Sequence, residues 1–366
     1  MKGYRQRVDG RTEYRWTYEG KRYSVAGHSV EECQEKARRK QNLLDAGKDP
    51  SAITLNDYFD RWVKNREVYV KPSTVLGYRC TFKIISQVLG DIRVNRVERW
   101  KVRCFLQTLE GRYASSTIRH VKMLLNAVFH DAVSDGIIDR NPVDTVRYRR
   151  TVETPARENI HRALTLEETE AFFKAAAERN SWYYNLYEFL ISTGCRIGEA
   201  GALMRSDIDY KNNVIHIRRT ITATSRGFEV GDTTKTRTSK RDIPMTAGIK
   251  EILQKQERRN RERFGEDIIQ INDRIFKSIG GHIVSSPVVI QDLKPILKLA
   301  GIQYFSPGAF RDTFATRAIE AGMNPQTLKE ILGHSSFSMT MDTYVHTMMD
   351  TKHKEMNFLE RRDDKT

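Results

Sequence analysis

From Thr54 to Val146 apolar residues recur at intervals of three and four with hardly a break, and that period excludes a sheet over almost a hundred consecutive positions. The clearest run places Ile118, Val121, Leu125, Val128 and Ala132 on one helical face, starting at Ser115 or Ser116 and stopping at Gly136. Thr54 with Asp57 opens an earlier helix holding Leu55, Tyr58, Phe59 and Trp62. Lys71-Pro72-Ser73 opens another, with proline where a missing N–H costs nothing. The stretch reads as an all-helical bundle.

The flanking segments break that period. Between Tyr4 and His28, short stretches (YRQRV, YRWTY, RYSVAG) alternate polar with aromatic or aliphatic residues around Asp9-Gly10 and Glu19-Gly20, which predicts three short strands joined by two hairpin turns. Ser29 and Glu32 then have capping-box spacing, and a helix is expected through Leu43 and Leu44 to a stop at Gly47. Residues 147–161 (RYRRTVETPARENIH) are polar, basic and aperiodic, as a linker is. Beyond them, helices are expected around Leu166–Arg179 and Tyr183–Ser192, a strand-rich patch from Val214 to Met245, and helices to the end. The patch holds Val214–Ile217, a short return at Phe228–Val230 and a third strand ending at Asp242–Met245, which read as one sheet. The expectation is a multidomain protein: a small N-terminal three-stranded β-sheet plus helix (1–50), an all-α helical bundle (51–146), a linker (147–161), and a mixed α+β, mainly helical domain with a small antiparallel sheet (162–366).

Charge narrows the partners. With 62 Lys and Arg against 47 Asp and Glu, the net charge of +15 favours a polyanion, either nucleic acid or an anionic membrane. Residues 1–50 carry +4 of it and residues 51–160 carry +7. No apolar run approaches a membrane span and the N-terminus has no signal-peptide core, so an intracellular, soluble protein is expected. Cys33, Cys80, Cys104 and Cys195 form no CxxC pair, so neither zinc nor a disulfide framework is expected, and four buried thiols is the simpler reading.

Three constellations carry candidate chemistry. Ser192 to Ala200 closes one apolar helix and opens another; Gly194 permits the tight turn, and Arg196 and Glu199, three apart, can face each other. Such a pair alone is most often an ordinary surface pair worth little. Between the last two strands lies GDTTKTRTSKR, with Lys235 near the apex of a turn, where a lysine is ordinarily a solvated charge. Ser306 to Thr316 enters a helix through Arg311; Asn324 and Pro325 then start a short helix with Leu328, Ile331 and Leu332 on its apolar face, ended by Gly333. His334 follows at once, and Tyr344 ten residues later among Met341, Val345 and Met348, where a tyrosine is ordinarily core.

Taken in order, TGCRIGEAGAL, TKTRTSKRDIPM, FRDTFATRAIEAGM, LKEILGHSS and MTMDTYVH resemble the tyrosine recombinases, particularly the three-domain integrases of phages and integrative elements. The matching segments span Ser192 to His346. By architecture alone, the N-terminal sheet plus helix resembles that family's arm-type DNA-binding domain, and the bundle its core-binding, SAM-like domain.

The resemblance implies a site-specific DNA recombinase independent of metal and ATP. Tyr344 would attack the scissile phosphate and form a 3′-phosphotyrosine bond; Arg196 and Arg311 would clamp the phosphate; Lys235 would protonate the departing 5′-hydroxyl; His334 would donate a further hydrogen bond; Glu199 would orient Arg196. Metal-free cleavage needs this division of labour: a nucleophile, cations for the growing charge on the non-bridging oxygens, and an acid for the leaving oxygen. No cofactor is expected, and the sequence has no P-loop. The implied partners are double-stranded DNA at core and arm attachment sites, a homotetramer on that DNA, an excisionase and a host DNA-bending protein, in the bacterial cytoplasm and on the nucleoid while bound. The segment after His346, with Met348, Met349, Met356, Phe358 and Leu359, has the composition of a helix that docks on a neighbouring protomer or on its own domain.

One position departs from the family. Three residues before Arg311 the family usually has histidine, and this chain has Gly308. The alternative is therefore a sequence-specific DNA-binding protein of the same fold with impaired cleavage. A type IB topoisomerase shares the chemistry, but the N-terminal sheet and the short helical section argue against it.

Overall fold

The computed structural model describes residues 3–8, 10–18, 20–45, 53–146, 162–232, 240–271 and 273–334. The expected linker, Gly47, Lys235, Tyr344 and the segment after His346 lie outside them. The chain forms two compact units, Met1–Pro155 and Ala156–Thr366.

The first unit begins with strands β1 (Tyr4–Gln6), β2 (Thr12–Tyr18) and β3 (Lys21–Gly27), antiparallel in that order. Gly10 and Gly20 have φ of +79° and +78°, the left-handed backbone that tight turns demand. Helix α1 (Val30–Asp45) follows; the Glu32 N–H donates to Ser29 Oγ at 3.1 Å, and the Glu32 carboxylate accepts from the N–H of His28 at 2.7 Å. The reciprocal half of the expected capping box thus falls one residue early. Tyr23, Val25 and Ala26 of β3 and Cys33 of α1 are buried, so the sheet and helix share a small core.

The bundle comprises α2 (Leu55–Arg66), α3 (Pro72–Leu89), α4 (Arg99–Thr108) and α5 (Ser115–Ser134). Thr54 Oγ1 accepts from the Asp57 N–H, as the spacing predicts. Leu55, Phe59, Phe82, Phe105, Val121, Leu125, Val128 and Phe129 fill its core. Two carboxylates pair its buried aromatic donors: the Asp131 carboxylate accepts from Trp62 Nε1 at 2.7 Å and Arg66 Nη2 at 2.8 Å, and Tyr58 donates to Asp135 at 2.7 Å. The cysteines depart from expectation. Cys33 and Cys195 are buried, but Cys80 and Cys104 are exposed. In α3 the inward stripe runs through Val75, Phe82, Ile85 and Leu89, and in α4 through Val102, Phe105 and Leu106, which leaves each thiol off the packed face.

The second unit runs α6 (Leu166–Glu178), α7 (Tyr184–Thr193), α8 (Ile197–Ala202), β4 (Ile208–Asp209), β5 (Val214–Ile217), β6 (Arg219–Thr224), β7 (Gly227–Asp232), β8 (Arg241–Pro244), α9 (Ala247–Ile271), α10 (Ser286–Ala300), α11 (Gly308–Glu320) and α12 (Pro325–Leu332). Its aromatic core joins Phe172, Tyr187, Phe305 and Phe310. The single expected sheet is two: β4-β5-β8, and a separate β6-β7 ribbon. The return strand at Phe228–Val230 pairs with β6, not with Val214–Ile217. Every residue of β6 is half-buried, so burial marks no core face on it, and Gly227 at φ +123° closes the turn onto the strand just before it. Among the described residues, no helix is long and apolar enough to cross a membrane.

Candidate active site

Helix α7 stops at Gly194, whose φ of +63° belongs to the left-handed region. A β-carbon there would lie 2.5 Å from Phe314 Cδ1 and 2.7 Å from Leu332 Cδ2, so only glycine lets the end of α7 press against α11 and α12. Two residues later Arg196 is the N-cap of α8, and Glu199 falls in its first turn. Glu199 is only 3% exposed. Its carboxylate accepts from the Arg196 backbone N–H at 2.9 Å and from Arg196 Nη1 at 2.9 Å. The three-residue spacing noted in the sequence therefore becomes a buried anchor rather than an ordinary surface pair.

A second arginine reaches the same carboxylate. Arg241, at the start of β8, donates from Nη1 at 3.1 Å and Nη2 at 2.8 Å to the two oxygens of Glu199, while its Nε donates to the carbonyl of Ile331. Burial pushes the Glu199 carboxyl upward, but the Arg241 fork and the Arg196 charge outweigh it and hold the group below the usual carboxylate range. Arg241 was not singled out in the sequence.

Arg311, in the first turn of α11, is buried and donates to two carbonyls: Nη1 to Gly194 at 2.8 Å and Nη2 to Leu332 at 2.8 Å. The first carbonyl lies two residues before Arg196 and the second two residues before His334, so one guanidinium ties both segments to α11. Burial, followed by the charge of Arg196, pushes Arg311 down to about 10, which leaves it cationic at neutral pH. His334 follows Gly333, the left-handed C-cap of α12, itself started by Asn324 and Pro325 as the sequence predicts. Burial, then the charges of Arg311, Arg196 and Arg241, push the imidazole down to about 4. It is therefore neutral at pH 7, with one ring N–H to donate and one ring nitrogen to accept.

Of the residues expected at the site, Arg196, Glu199, Arg311 and His334 come together, and Gly308 occupies the first position of α11, one turn before Arg311. Lys235 and Tyr344 lie outside the described residues. Chemically, the cluster presents two guanidinium groups and a neutral imidazole, with a third arginine held behind them on a buried carboxylate. Cations of that kind, fixed in advance, suit the oxygens of a phosphodiester.

Residues 162–350 match the model of the phage integrase family. The transposase of transposon Tn916 from Enterococcus faecalis is 27% identical over 296 residues, covering 76% of this chain and 69% of that protein. A XerC-like tyrosine recombinase from Caldanaerobacter subterraneus subsp. tengcongensis is 25% identical over 346 residues, covering 89% of this chain and 88% of its own. Among solved structures, the Tn1549 transposon integrase in complex with a circular intermediate DNA superposes with a TM-score of 0.71 at 25% identity, covering 84% of this chain and 99% of that one. Family, relatives and fold agree with the clustered arginines and imidazole: the chain belongs to the phage integrase family, the tyrosine recombinases that cut and rejoin DNA.

Proposed function

We propose that this chain integrates or excises a mobile element by site-specific recombination through a 3′-phosphotyrosine intermediate. The observation that carries the reading is the bonding of Arg311 to the carbonyls of Gly194 and Leu332, which draws Arg196 and His334 toward one place. In this reading Arg196 and Arg311 hold the non-bridging oxygens of the scissile phosphate, His334 donates a hydrogen bond to the same group, and Glu199 fixes Arg196. The Tyr344 hydroxyl gives up its proton to solvent as its oxygen attacks phosphorus and displaces the 5′-oxygen, which takes a proton from Lys235. The new ester retains the energy of the bond it replaces, so a 5′-hydroxyl from a partner duplex reverses the step and exchanges strands without ATP.

Recombination joins two duplexes, each held by two protomers, and the working assembly is a homotetramer on DNA. Residues 1–50 would grip arm sites and residues 51–146 the core site, joined through 147–161 to the catalytic residues 162–366. An excisionase and a host bending protein would set the direction of the reaction. The segment after His346 would couple protomers. Gly308 favours a second reading, in which the chain grips its site and cleaves it poorly, because the group that would accept the phenol proton is missing from the first turn of α11.

The test is covalent capture. Incubation with a randomised pool of nicked duplexes, followed by denaturing gel analysis, should give a protein–DNA adduct that vanishes in Tyr344→Phe, while a native gel still shows that variant binding DNA noncovalently. Sequencing the captured strands then gives the target. Specific binding with no adduct would favour the second reading.

A further inference from the structure

We propose that Arg241 is a positioning residue, which sets Arg196 through Glu199 and sets His334 through the carbonyl of Ile331. The inference rests on the recombinase reading above and adds a residue to it. Arg241 does not reach for substrate itself: its side chain is 5% exposed, and Nε, Nη1 and Nη2 are each committed, the first to Ile331 and the other two to Glu199. Arg196 contrasts with it. Its side chain is 45% exposed, with Nη1 on the same carboxylate. Glu199 thus bridges a hidden arginine and an accessible one, and the hidden one fixes where the carboxylate lies. A planar fork spanning both oxygens determines the plane of a carboxylate, which a single ammonium cannot do.

The other end of Arg241 acts on the imidazole. Ile331 lies in the last turn of α12, and Leu332, next to it, is the carbonyl taken by Arg311. Two buried guanidiniums therefore hold consecutive carbonyls at the C-terminal end of this helix, which have no helical partner among the described residues. They fix the direction in which Gly333 launches His334. Without Arg241, the Ile331 carbonyl loses its donor, Glu199 loses its fork, and Arg196 and His334 lose their common reference.

The experiment compares wild type, Arg241→Met and Arg241→Lys on nicked duplexes first captured by the wild-type chain, measuring adduct rate at saturating DNA and affinity separately. Methionine keeps much of the side-chain bulk without charge; lysine keeps the charge without the fork. Expected are affinities within about threefold of wild type and adduct rates lower by about 10- to 10²-fold, the range typical of misplaced groups. Lysine should fall between methionine and wild type. The imidazole resonance of His334 gives a readout independent of DNA. In Arg241→Met its titration midpoint should rise, because one of the three neighbouring cations that lower it is gone while the charges of Arg196, Arg311 and Glu199 remain. If methionine does not fold, lysine carries the same comparison. A wild-type rate in either folded variant, or a rate loss that only tracks affinity, overturns the proposal while leaving the recombinase reading intact. A wild-type chain that never forms the adduct overturns both.

Discussion

Arg311 donates to the carbonyl of Gly194 at 2.8 Å, joining positions 117 residues apart, and the two depend on each other. The carbonyl is available because α7 ends in a left-handed residue, and the guanidinium can reach it because that residue has no side chain to hold α11 away.

The first prediction is therefore Gly194→Ala. A left-handed alanine costs about 1 kcal/mol, and forcing a methyl into contact with Phe314 and Leu332 costs about 1–3 kcal/mol more. The unfolding midpoint in urea should fall accordingly, and adduct formation should fall with it at temperatures where the variant is still folded. A variant as stable as wild type would mean that α11 and α12 do not pack on the end of α7.

The second concerns the bundle. Asp131→Ala removes the acceptor of Trp62 Nε1 and Arg66 Nη2 and leaves the indole N–H of the buried Trp62 without its partner. The expected loss is about 1–3 kcal/mol, read from denaturant unfolding followed by Trp fluorescence. Asp131→Asn, which retains one acceptor oxygen, should lose less.

Which of these relationships a sequence can disclose depends on how far apart their partners lie. Thr54, Asn324 and Gly333 act on residues two to four positions away, and their caps stand where the pattern put them. Arg196 and Glu199 are also local, so their pairing was legible, though not the burial that makes it strong. Arg241 was not legible. It stands in a run with Lys235, Arg237 and Lys240, and nothing nearby tells which cation turns inward; its carboxylate is 42 positions away. The β6-β7 ribbon escaped for another reason. β6 is half-buried along its whole length and Gly227, Phe228 and Glu229 of β7 are exposed, so the ribbon has no strongly apolar face to mark it. Cys80 and Cys104 illustrate the converse error, in which residue type suggested burial and helix phase decided against it.

A third prediction follows from the imidazole. His334 titrates near 4 in the folded chain and near its ordinary 6.5 when unfolded, so below 6.5 the unfolded chain binds the proton first. Its contribution to stability is complete above about pH 6.5 and is lost as pH falls toward about 4. Wild type should lose denaturant resistance from pH 7 to pH 5, and His334→Gln should lose less over the same interval. Between pH 7 and pH 8 the two should respond to pH alike. A wild type whose resistance does not change from pH 7 to pH 5 would place the imidazole away from the three guanidiniums.

The last prediction takes up Gly308. It opens α11 without a positive φ, so a side chain fits the backbone, and it lies one turn before Arg311 on the same face. Histidine placed there would stand at the positive end of a helix and next to a guanidinium, both of which disfavour a second positive charge and keep the ring a neutral base. In the proposed mechanism, a base able to accept the Tyr344 proton would be worth about 10²- to 10⁴-fold in rate. Gly308→His should therefore speed adduct formation on a nicked suicide duplex by about 10²-fold, with duplex affinity unchanged. The gain should disappear in the Gly308→His, Tyr344→Phe double variant. Equal rates for Gly308 and Gly308→His would mean that the proton leaves by another route and that the glycine does not limit this chain.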